Sequence, residues 1–539
     1  MNGSNAALLA RLEKRVRLDN FFTGPIYPLI VTGLALVGAL TGYEVYINIL
    51  LSVLTFVALM CSRTIRPFLP YLLVALYQIP EEHLITDPAA GGDYLFSGAR
   101  MYIVFGSIAL VLLGVLIFLI RHSIRKQKEA WHGEYKRHML PLLIPTLLFC
   151  VSFIFAGFGT DGFLEGRHLL YTFGQSGAFL LLFAVIYRGI SDEDSEELLR
   201  YFAYISFLVA LVINTQVVIY HYEKYLETGA LEFIRSGWNE YPEISLGFGG
   251  CNLVAFNVGA FIPMQMYGFV KCRGRLLYLF GAICSCILAV SCVSRTATVA
   301  STLFLIIGFI SAFFARDISE KRRRTNRILL GIVTVAILAF IVIFPGKVKM
   351  LYQDMFDRLF VEEETSTTAS VDIEEGNADE TEEKEEGEMH LHLTGRDKLW
   401  QQAFEGFRTN PIFGVGPAHV EVDEWYILSA DFFPYMAHNT AMQLLGSGGL
   451  VALVAYLIYR ISTLVVFFRD RSTNKWFLFL VSFYLIVTSI LDNYIFYIYT
   501  TFPYVIALAI ACKIYRERGT ERRRKRERLE TIREQRAFH

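Results

Sequence analysis

The stretch MYIVFGSIALVLLGVLIFLI (residues 101–120), followed by RHSIRKQKEAWHGEYKR (121–137), decides the fold class of this chain. Its first twenty residues contain no charged side chain. Twenty apolar residues are the length of a helix that crosses a lipid bilayer. The next seventeen residues carry six Lys or Arg, which is typical of a loop on the cytoplasmic side. Together the apolar stretch and the basic stretch predict a membrane-spanning helix whose carboxyl end faces the cytoplasm.

The same pattern recurs along the 539 residues, of which 54% are hydrophobic. We predict about fourteen transmembrane helices, near residues 21–40, 45–62, 67–80, 101–120, 140–158, 168–188, 201–220, 247–269, 275–293, 297–315, 328–345, 439–459, 476–491 and 495–513. If the N-terminus lies inside, every strongly basic connection falls on the cytoplasmic side, and so does the C-terminus. The sequence therefore predicts an all-α, multi-pass membrane protein with both termini cytoplasmic. We read the basic N-terminus and its apolar run as an uncleaved first helix rather than a signal peptide.

The net charge of −1 hides an uneven distribution. Residues 361–388 contain thirteen Asp or Glu and one Lys, so this segment carries −12 and the rest of the chain +11. With almost no large apolar side chain, the segment predicts a disordered, solvated spacer, which we prefer to a calcium site. It lies in a large outer loop, residues 346–437, between eleven predicted helices in residues 1–345 and three in residues 438–513. A second long outer loop covers residues 220–245.

The basic tail, residues 514–539, follows the last predicted helix. Its positive charge suits anionic lipid headgroups on the inner membrane surface. Nucleic-acid binding would need the same charge, but we do not expect it beside so many membrane helices.

The polar residues indicate an enzyme rather than a transporter. Transporters place charges inside their helices and show internal repeats, whereas the predicted helix centres here contain almost no charged residue. Four polar residues instead fall on the predicted outer face: Arg235, Arg295, Arg396 and His438. Arginine binds diphosphate through paired hydrogen bonds, and histidine can accept a proton near neutral pH. For Arg295 alone, an arginine reaching to lipid headgroups is an equally good interpretation.

Four sequence elements lie around these residues in a fixed order. Arg235 and Gly237 precede Asn252 and Ala255, and Ser294 precedes Arg295. The outer loop then contains GRxxxW, which includes Gly395, Arg396 and Trp400, and NPxxGVG at 410–416. His438 and Asn439 follow, with Gly449 eleven residues after the histidine. In this order the elements resemble the O-antigen ligase/polymerase family of bacterial membrane glycosyltransferases, over roughly residue 235 to the last helix.

The resemblance implies a fold similar to glycosyltransferase C enzymes and a site on the periplasmic or extracellular face of the bacterial inner membrane. It implies an undecaprenyl-diphosphate-linked oligosaccharide donor, a glycan acceptor, no cofactor and no metal. In this reading His438 is the catalytic base and Arg235, Arg295 and Arg396 bind the diphosphate. Four other residues are accessory or structural: Asn439, Trp400, Asn252 and Gly449.

We expect a metal-independent, inverting transferase, and within the family a surface-polysaccharide polymerase, with a chain-length regulator as a partner. One alternative is a ligase that transfers finished glycan to lipid A-core or another acceptor. A lipid-linked oligosaccharide flippase is the alternative from a different class.

Overall fold

Helices make up nearly all of the part of the chain that the structure, a computed structural model, describes. The described residues are 3–75, 99–131, 140–160, 163–164, 166–229, 251–292, 294–346, 348–349, 352, 360–362, 389–391, 396–416, 437–469, 472–491, 495 and 498–537. Arg235 and the acidic residues 363–388 lie outside these ranges, as do the side chains of Asn252 and Arg295. The all-helical character predicted from the sequence is confirmed.

The helices are α1 (Gly3–Thr23), α2 (Ile26–Thr41), α3 (Glu44–Cys61), α4 (Phe68–Pro70), α5 (Ala99–Trp131), α6 (Leu143–Ile154), α7 (Gly166–Ser176), α8 (Phe183–Gly189), α9 (Ser195–Thr228), α10 (Cys251–Ala260), α11 (Ile262–Lys271), α12 (Arg275–Ser291), α13 (Arg295–Phe313), α14 (Glu320–Ile343), α15 (Arg396–Thr409), α16 (Thr440–Phe468), α17 (Thr473–Leu491) and α18 (Ile498–Ala537). Two π-helical segments, Tyr71–Ala75 and Gly177–Leu182, continue α4 and α7. One short antiparallel pair joins strands β1 (Phe360–Glu362) and β2 (Met389–Leu391).

Side-chain caps fix several helix starts where the sequence offers Asp, Ser or Asn. The Asp194 side chain accepts from the amide of Glu197 at the start of α9, and Ser319 accepts from Arg322 at the start of α14. These bonds satisfy amides that have no partner inside the helix. At the other end of α9, Gly229 ends the helix in the left-handed conformation that glycine adopts readily.

Five of the described helices are long and apolar enough to cross a membrane: Tyr102–Gln127, Ser195–Glu227, Thr296–Phe313, Glu320–Ile343 and Thr440–Phe468. A sixth candidate is the pair Glu13–Thr23 and Ile26–Thr41, which is bent by 53°. Four further apolar helices are shorter, with 10–17 residues: Val45–Cys61, Leu143–Ile154, Arg275–Ser291 and Asn474–Ile490. The count of fourteen stays a prediction, as does a separate outer loop domain.

Helices α11 and α18 form the centre of the bundle. Every residue from Ile262 to Val270 of α11 is buried, and so is nearly every residue from Thr500 to Ile514 of α18. A helix that is apolar all around is a central helix in a membrane bundle, because it has no face left for solvent. The predicted basic tail continues α18 without a break as far as Ala537.

Helix α16 extends nine residues past the predicted end at residue 459, and this extension buries a charge. Arg460 is 6% exposed, and its guanidinium lies against the rings of Tyr456 and Tyr504, each 5.0 Å from the ring centroid. The Tyr504 hydroxyl donates to the Tyr459 hydroxyl over 2.7 Å. Aromatic faces stabilise a desolvated cation, so this cage explains how a charged residue fits inside a membrane helix.

Strands β1 and β2, which flank the acidic segment, pair with each other. Phe360 pairs with Leu391, and Glu362 pairs with Met389, so residues 363–388 leave and return at neighbouring positions. The pairing shows that the first two residues of the predicted disordered segment, 361 and 362, belong to a strand instead.

The strand pair suggests how to test whether the acidic segment is dispensable. Replacing residues 363–388 with Asn-Gly, which suits a two-residue hairpin turn, should preserve both strands. We expect at least half of the activity to remain, because the removed residues lack the apolar surface needed to fold. Membrane-inserted protein and glycan transfer would be measured together, with a composition-matched but scrambled acidic segment as control. Loss of activity in the scrambled variant with normal insertion would contradict the spacer interpretation, and loss in the deletion alone would show that the spacer is needed.

Candidate active site

His438 sits immediately before α16 in a backbone conformation that is unusual for its residue type. Its φ is +47°, in the left-handed region, and its side chain is half-buried. For a non-glycine residue this conformation costs about 1–2 kcal/mol. Strained backbone persists only where surrounding contacts hold it, and such positions concentrate at functional sites.

The residues on either side of His438 supply those contacts. Asn439 caps α16: its Oδ1 accepts from the amides of Ala441 and Met442 at 2.9 and 3.1 Å. The amide of Ala437 donates to Gln443 Oε1 at 2.8 Å. His438 therefore lies between the helix cap at Asn439 and the buried hydrogen bond from the Ala437 amide to the Gln443 side chain.

Helix α15 completes the support from the outer loop. Trp400 Nε1 donates to the carbonyl of Ala437 at 2.8 Å, and Leu399 and Ala403 pack with Ala437 in a small apolar cluster. Arg396, the first residue of α15, is half-buried one turn away from Trp400. Trp400, predicted to be accessory, thus joins the arginine helix to the histidine segment.

A break in α16 explains the glycines that follow His438. Gly449 has φ +62° and ψ −159°, values outside any helix, so the backbone hydrogen bonds of α16 are interrupted there. Unpaired backbone groups inside a membrane are costly, and they are tolerated only where another part of the protein satisfies them.

The NPxxGVG stretch satisfies the backbone groups at this break. The carbonyls of Gly446 and Ser447 accept from the amides of Val415 and Gly416, each at 2.9 Å. In the other direction the amides of Leu450 and Val451 donate to the carbonyls at 411 and 412, at 3.0 and 3.2 Å. The NPxxGVG loop therefore inserts into the broken helix. We call the residues 411–416 and 446–451 the loop–helix joint.

A third segment, from the first half of the chain, packs on the joint. The amide of Gly157 donates to the Phe413 carbonyl at 2.8 Å, and Asn410 Nδ2 donates to the Phe158 carbonyl at 2.9 Å. Sequence reasoning found nothing specific in this half. The AGFGT run at 156–160 was the available signal, because closely spaced glycines mark close backbone approach.

Two side-chain contacts fix the register between α13 and α17. The hydroxyls of Ser301 and Tyr484 lie 3.2 Å apart, and Trp476 Nε1 donates to Ser311 Oγ at 2.7 Å. The higher-numbered residue on α13, Ser311, contacts the lower-numbered residue on α17, Trp476, so the two helices run antiparallel. The start of α13, at Arg295, therefore lies toward the end of α17 that contains Ile490.

The same end of α17 meets the histidine segment. Asn439 Nδ2 donates to the Ile490 carbonyl at 2.9 Å. Arg295, whose backbone begins α13, therefore lies at the end of the bundle that carries His438. The structure brings together His438, Asn439, Trp400 and the Arg396 helix by direct contact, and it adds Arg295 through α17. Arg235 lies outside the described residues, so its predicted role is untested.

His221 is a polar residue at this end that sequence reasoning missed. It lies on α9, with Nε2 3.2 Å from Ser291 Oγ, four residues before Arg295. It lies at the end of the apolar stretch of α9, just before Glu223 and Lys224, so the sequence alone gave no distinctive signal.

Several of the predicted site residues in the described part of the chain share one local feature: they lie at or just before a helix N-terminus. Arg295 and Arg396 are the first residues of α13 and α15, and Asn252 is the second residue of α10. His438 comes two residues before α16 begins. Free amides and the helix dipole make a helix N-terminus favourable for anions, and arginine adds full charge. The arrangement suits a phosphate-containing ligand.

Comparison with known protein families agrees with this geometry. Residues 280–457 match the O-antigen ligase family. This match covers about a third of the chain and supports a likeness to the O-antigen ligase/polymerase family. No curated protein matches the chain.

The matched residues begin within α12 and end at residue 457 within α16, so they cover most of the elements that build the site. They include Arg295, the Arg396 helix, the loop–helix joint and His438, which confirms the family resemblance found in the sequence. Asn252 and Arg235 precede the matched residues.

Proposed function

We propose that this protein transfers oligosaccharide from an undecaprenyl diphosphate to the hydroxyl of an acceptor sugar on the periplasmic or extracellular face of the inner membrane. One observation carries the proposal: within the residues that match the O-antigen ligase family, His438 is held in a strained conformation beside a helix that begins with an arginine. A base next to cations is the arrangement that transfer from a diphosphate requires.

In the proposed mechanism, the acceptor hydroxyl oxygen attacks the anomeric carbon of the donor sugar. His438 takes the hydroxyl proton as the new carbon–oxygen bond forms. The bond between the anomeric carbon and the diphosphate oxygen breaks, and both of its electrons leave with the diphosphate. Arg235, Arg295 and Arg396 bind the diphosphate and stabilise its growing charge, in place of a metal ion. Direct displacement inverts the anomeric centre.

We favour a polymerase that joins lipid-linked repeat units into a surface polysaccharide. A ligase that moves finished glycan to lipid A-core is the second candidate, because the matched family carries the ligase description. Both activities need the same donor site and differ in the acceptor.

Reconstitution of the purified protein tests the proposal. We expect a synthetic undecaprenyl-diphosphate oligosaccharide to yield longer lipid-linked glycan and free undecaprenyl diphosphate, equally with and without EDTA. Products would be separated by gel electrophoresis and identified by mass spectrometry. Transfer only after lipid A-core is added would favour the ligase. A strict need for added magnesium or manganese would contradict the arginine mechanism, and absence of transfer to either acceptor would contradict the function.

A further inference from the structure

Two basic segments that are distant in sequence meet at the end of the bundle opposite His438. The turn Lys271–Arg275 precedes α12, and residues 320–327 form the first turns of α14. Since α13 begins at the His438 end, the loop that joins its other end to α14 lies at the opposite end. Together the two segments contain eight Lys or Arg and one acid, Glu320. We call them the basic clamp.

Polar contacts hold the clamp together. The Arg322 guanidinium donates to the Cys272 carbonyl, and the Lys271 ammonium donates to the Asp317 carbonyl. Arg275 Nη1 donates to Oδ1 of the fully buried Asn326 over 3.4 Å. These acceptors are uncharged, so the contacts orient the cations without neutralising them.

The charges of the clamp are not neutralised by carboxylates. In the described part of the chain, no Lys or Arg of the clamp forms an ion pair with a carboxylate. Nε of Arg322 and Nε of Arg323 are shielded from solvent and have no hydrogen-bond partner among those residues. Grouped lysines and arginines that pair with no carboxylate among the described residues favour a multiply charged oxyanion such as phosphate.

The surface next to the clamp distinguishes a lipid from a soluble phosphate. Leu276, Leu277 and Phe280 follow Arg275 on α12 and are 58%, 61% and 66% exposed. Ile328 and Ile332 continue α14 beyond the basic turns and are also exposed. Apolar side chains directly beside the cations match a molecule that has a phosphate headgroup and acyl chains. In a membrane these apolar faces meet lipid chains, so the cations lie where a lipid headgroup phosphate is at hand.

We propose that the basic clamp is a binding site for an anionic phospholipid of the cytoplasmic leaflet. Lys271, Arg275, Arg322 and Arg323 bind the headgroup phosphate, and the exposed faces of α12 and α14 contact the acyl chains. The site is separate from the basic tail, and it does not depend on the proposed transferase activity.

Native mass spectrometry of the full chain in neutral detergent tests the proposal, with phosphatidylglycerol titrated against phosphatidylcholine. We expect retained phosphatidylglycerol adducts, and an about 10- to 30-fold lower affinity in the double variant Arg275→Gln, Arg322→Gln, since each cation near a charged lipid contributes about 1 kcal/mol. The matched control is Arg125→Gln, Arg469→Gln. It removes the same charge from sites that already have partners, Asp192 and Tyr515.

A charge-conserving variant and a soluble ligand serve as further tests. The double variant Arg275→Lys, Arg322→Lys keeps the charge and should retain more lipid than the glutamine variant, which also shows whether the fold tolerates substitution. Soluble glycerol phosphate should bind much more weakly than phosphatidylglycerol. Unchanged phosphatidylglycerol binding in the glutamine variant would overturn the site, and equal binding of glycerol phosphate would overturn the lipid assignment.

Discussion

The His438→Ala variant is expected to lose glycan transfer by a factor on the order of 10²–10⁴, the usual contribution of a general base. A sugar hydroxyl is a poor nucleophile until its proton is removed, and histidine is the side chain best suited to accept a proton near neutral pH. Donor binding should change little, because the diphosphate is assigned to the arginines. Turnover of a synthetic lipid-linked donor and donor retention in native mass spectrometry would be measured on the same preparation.

Companion variants separate the chemical role of His438 from its support. Asn439→Ser keeps an oxygen that can cap α16 but removes the donor to the Ile490 carbonyl. Trp400→Phe keeps the ring and removes the donor to the Ala437 carbonyl. Both should lower kcat by about tenfold, less than His438→Ala, because a misplaced base still functions in part. Near-normal transfer by folded His438→Ala protein would disprove the base assignment and leave the arginine site open.

The second large effect is expected at the loop–helix joint, in Gly414→Ala. Gly414 has φ +65°, and a Cβ there would lie 2.4 Å from the backbone carbon of Ser447. Real Cβ atoms do not approach backbone so closely, so the loop must leave the break in α16. Strained backbone, overpacking and two lost backbone hydrogen bonds add up to about 4 kcal/mol. We expect little folded protein in the membrane, as measured by gel filtration after detergent extraction and heating.

Glycines elsewhere in the chain supply controls for this prediction. A Cβ at Gly33, in the middle of α2, meets no atom within 4 Å, so Gly33→Ala should be neutral or slightly stabilising. Gly449→Ala should resemble Gly414→Ala, since its Cβ would lie 2.4 Å from the Ile412 carbonyl oxygen. If Gly414→Ala matched Gly33→Ala in extracted, heat-stable protein, the joint would not hold α16.

The sequence by itself determined the membrane-helical fold and the family resemblance. Apolar stretches, basic connections and helix caps are local features, because a membrane helix satisfies its own backbone hydrogen bonds within a few residues. The order of short motifs, from Ser294 and Arg295 to His438 and Asn439, can also be seen directly in the sequence. Hydropathy could not place the exact helix ends: α16 extends past residue 459 because an aromatic cage accommodates Arg460.

Only the tertiary structure decided how the site is assembled. The break at Gly449 is satisfied by residues 411–416, and those residues in turn pack on Gly157, more than 250 positions earlier in the chain. The antiparallel packing of α13 and α17 places the start of α13, at Arg295, at the His438 end. These contacts join backbone groups and side chains from distant segments, and shape and hydrogen-bond complementarity across such distances leave no periodic pattern in the sequence.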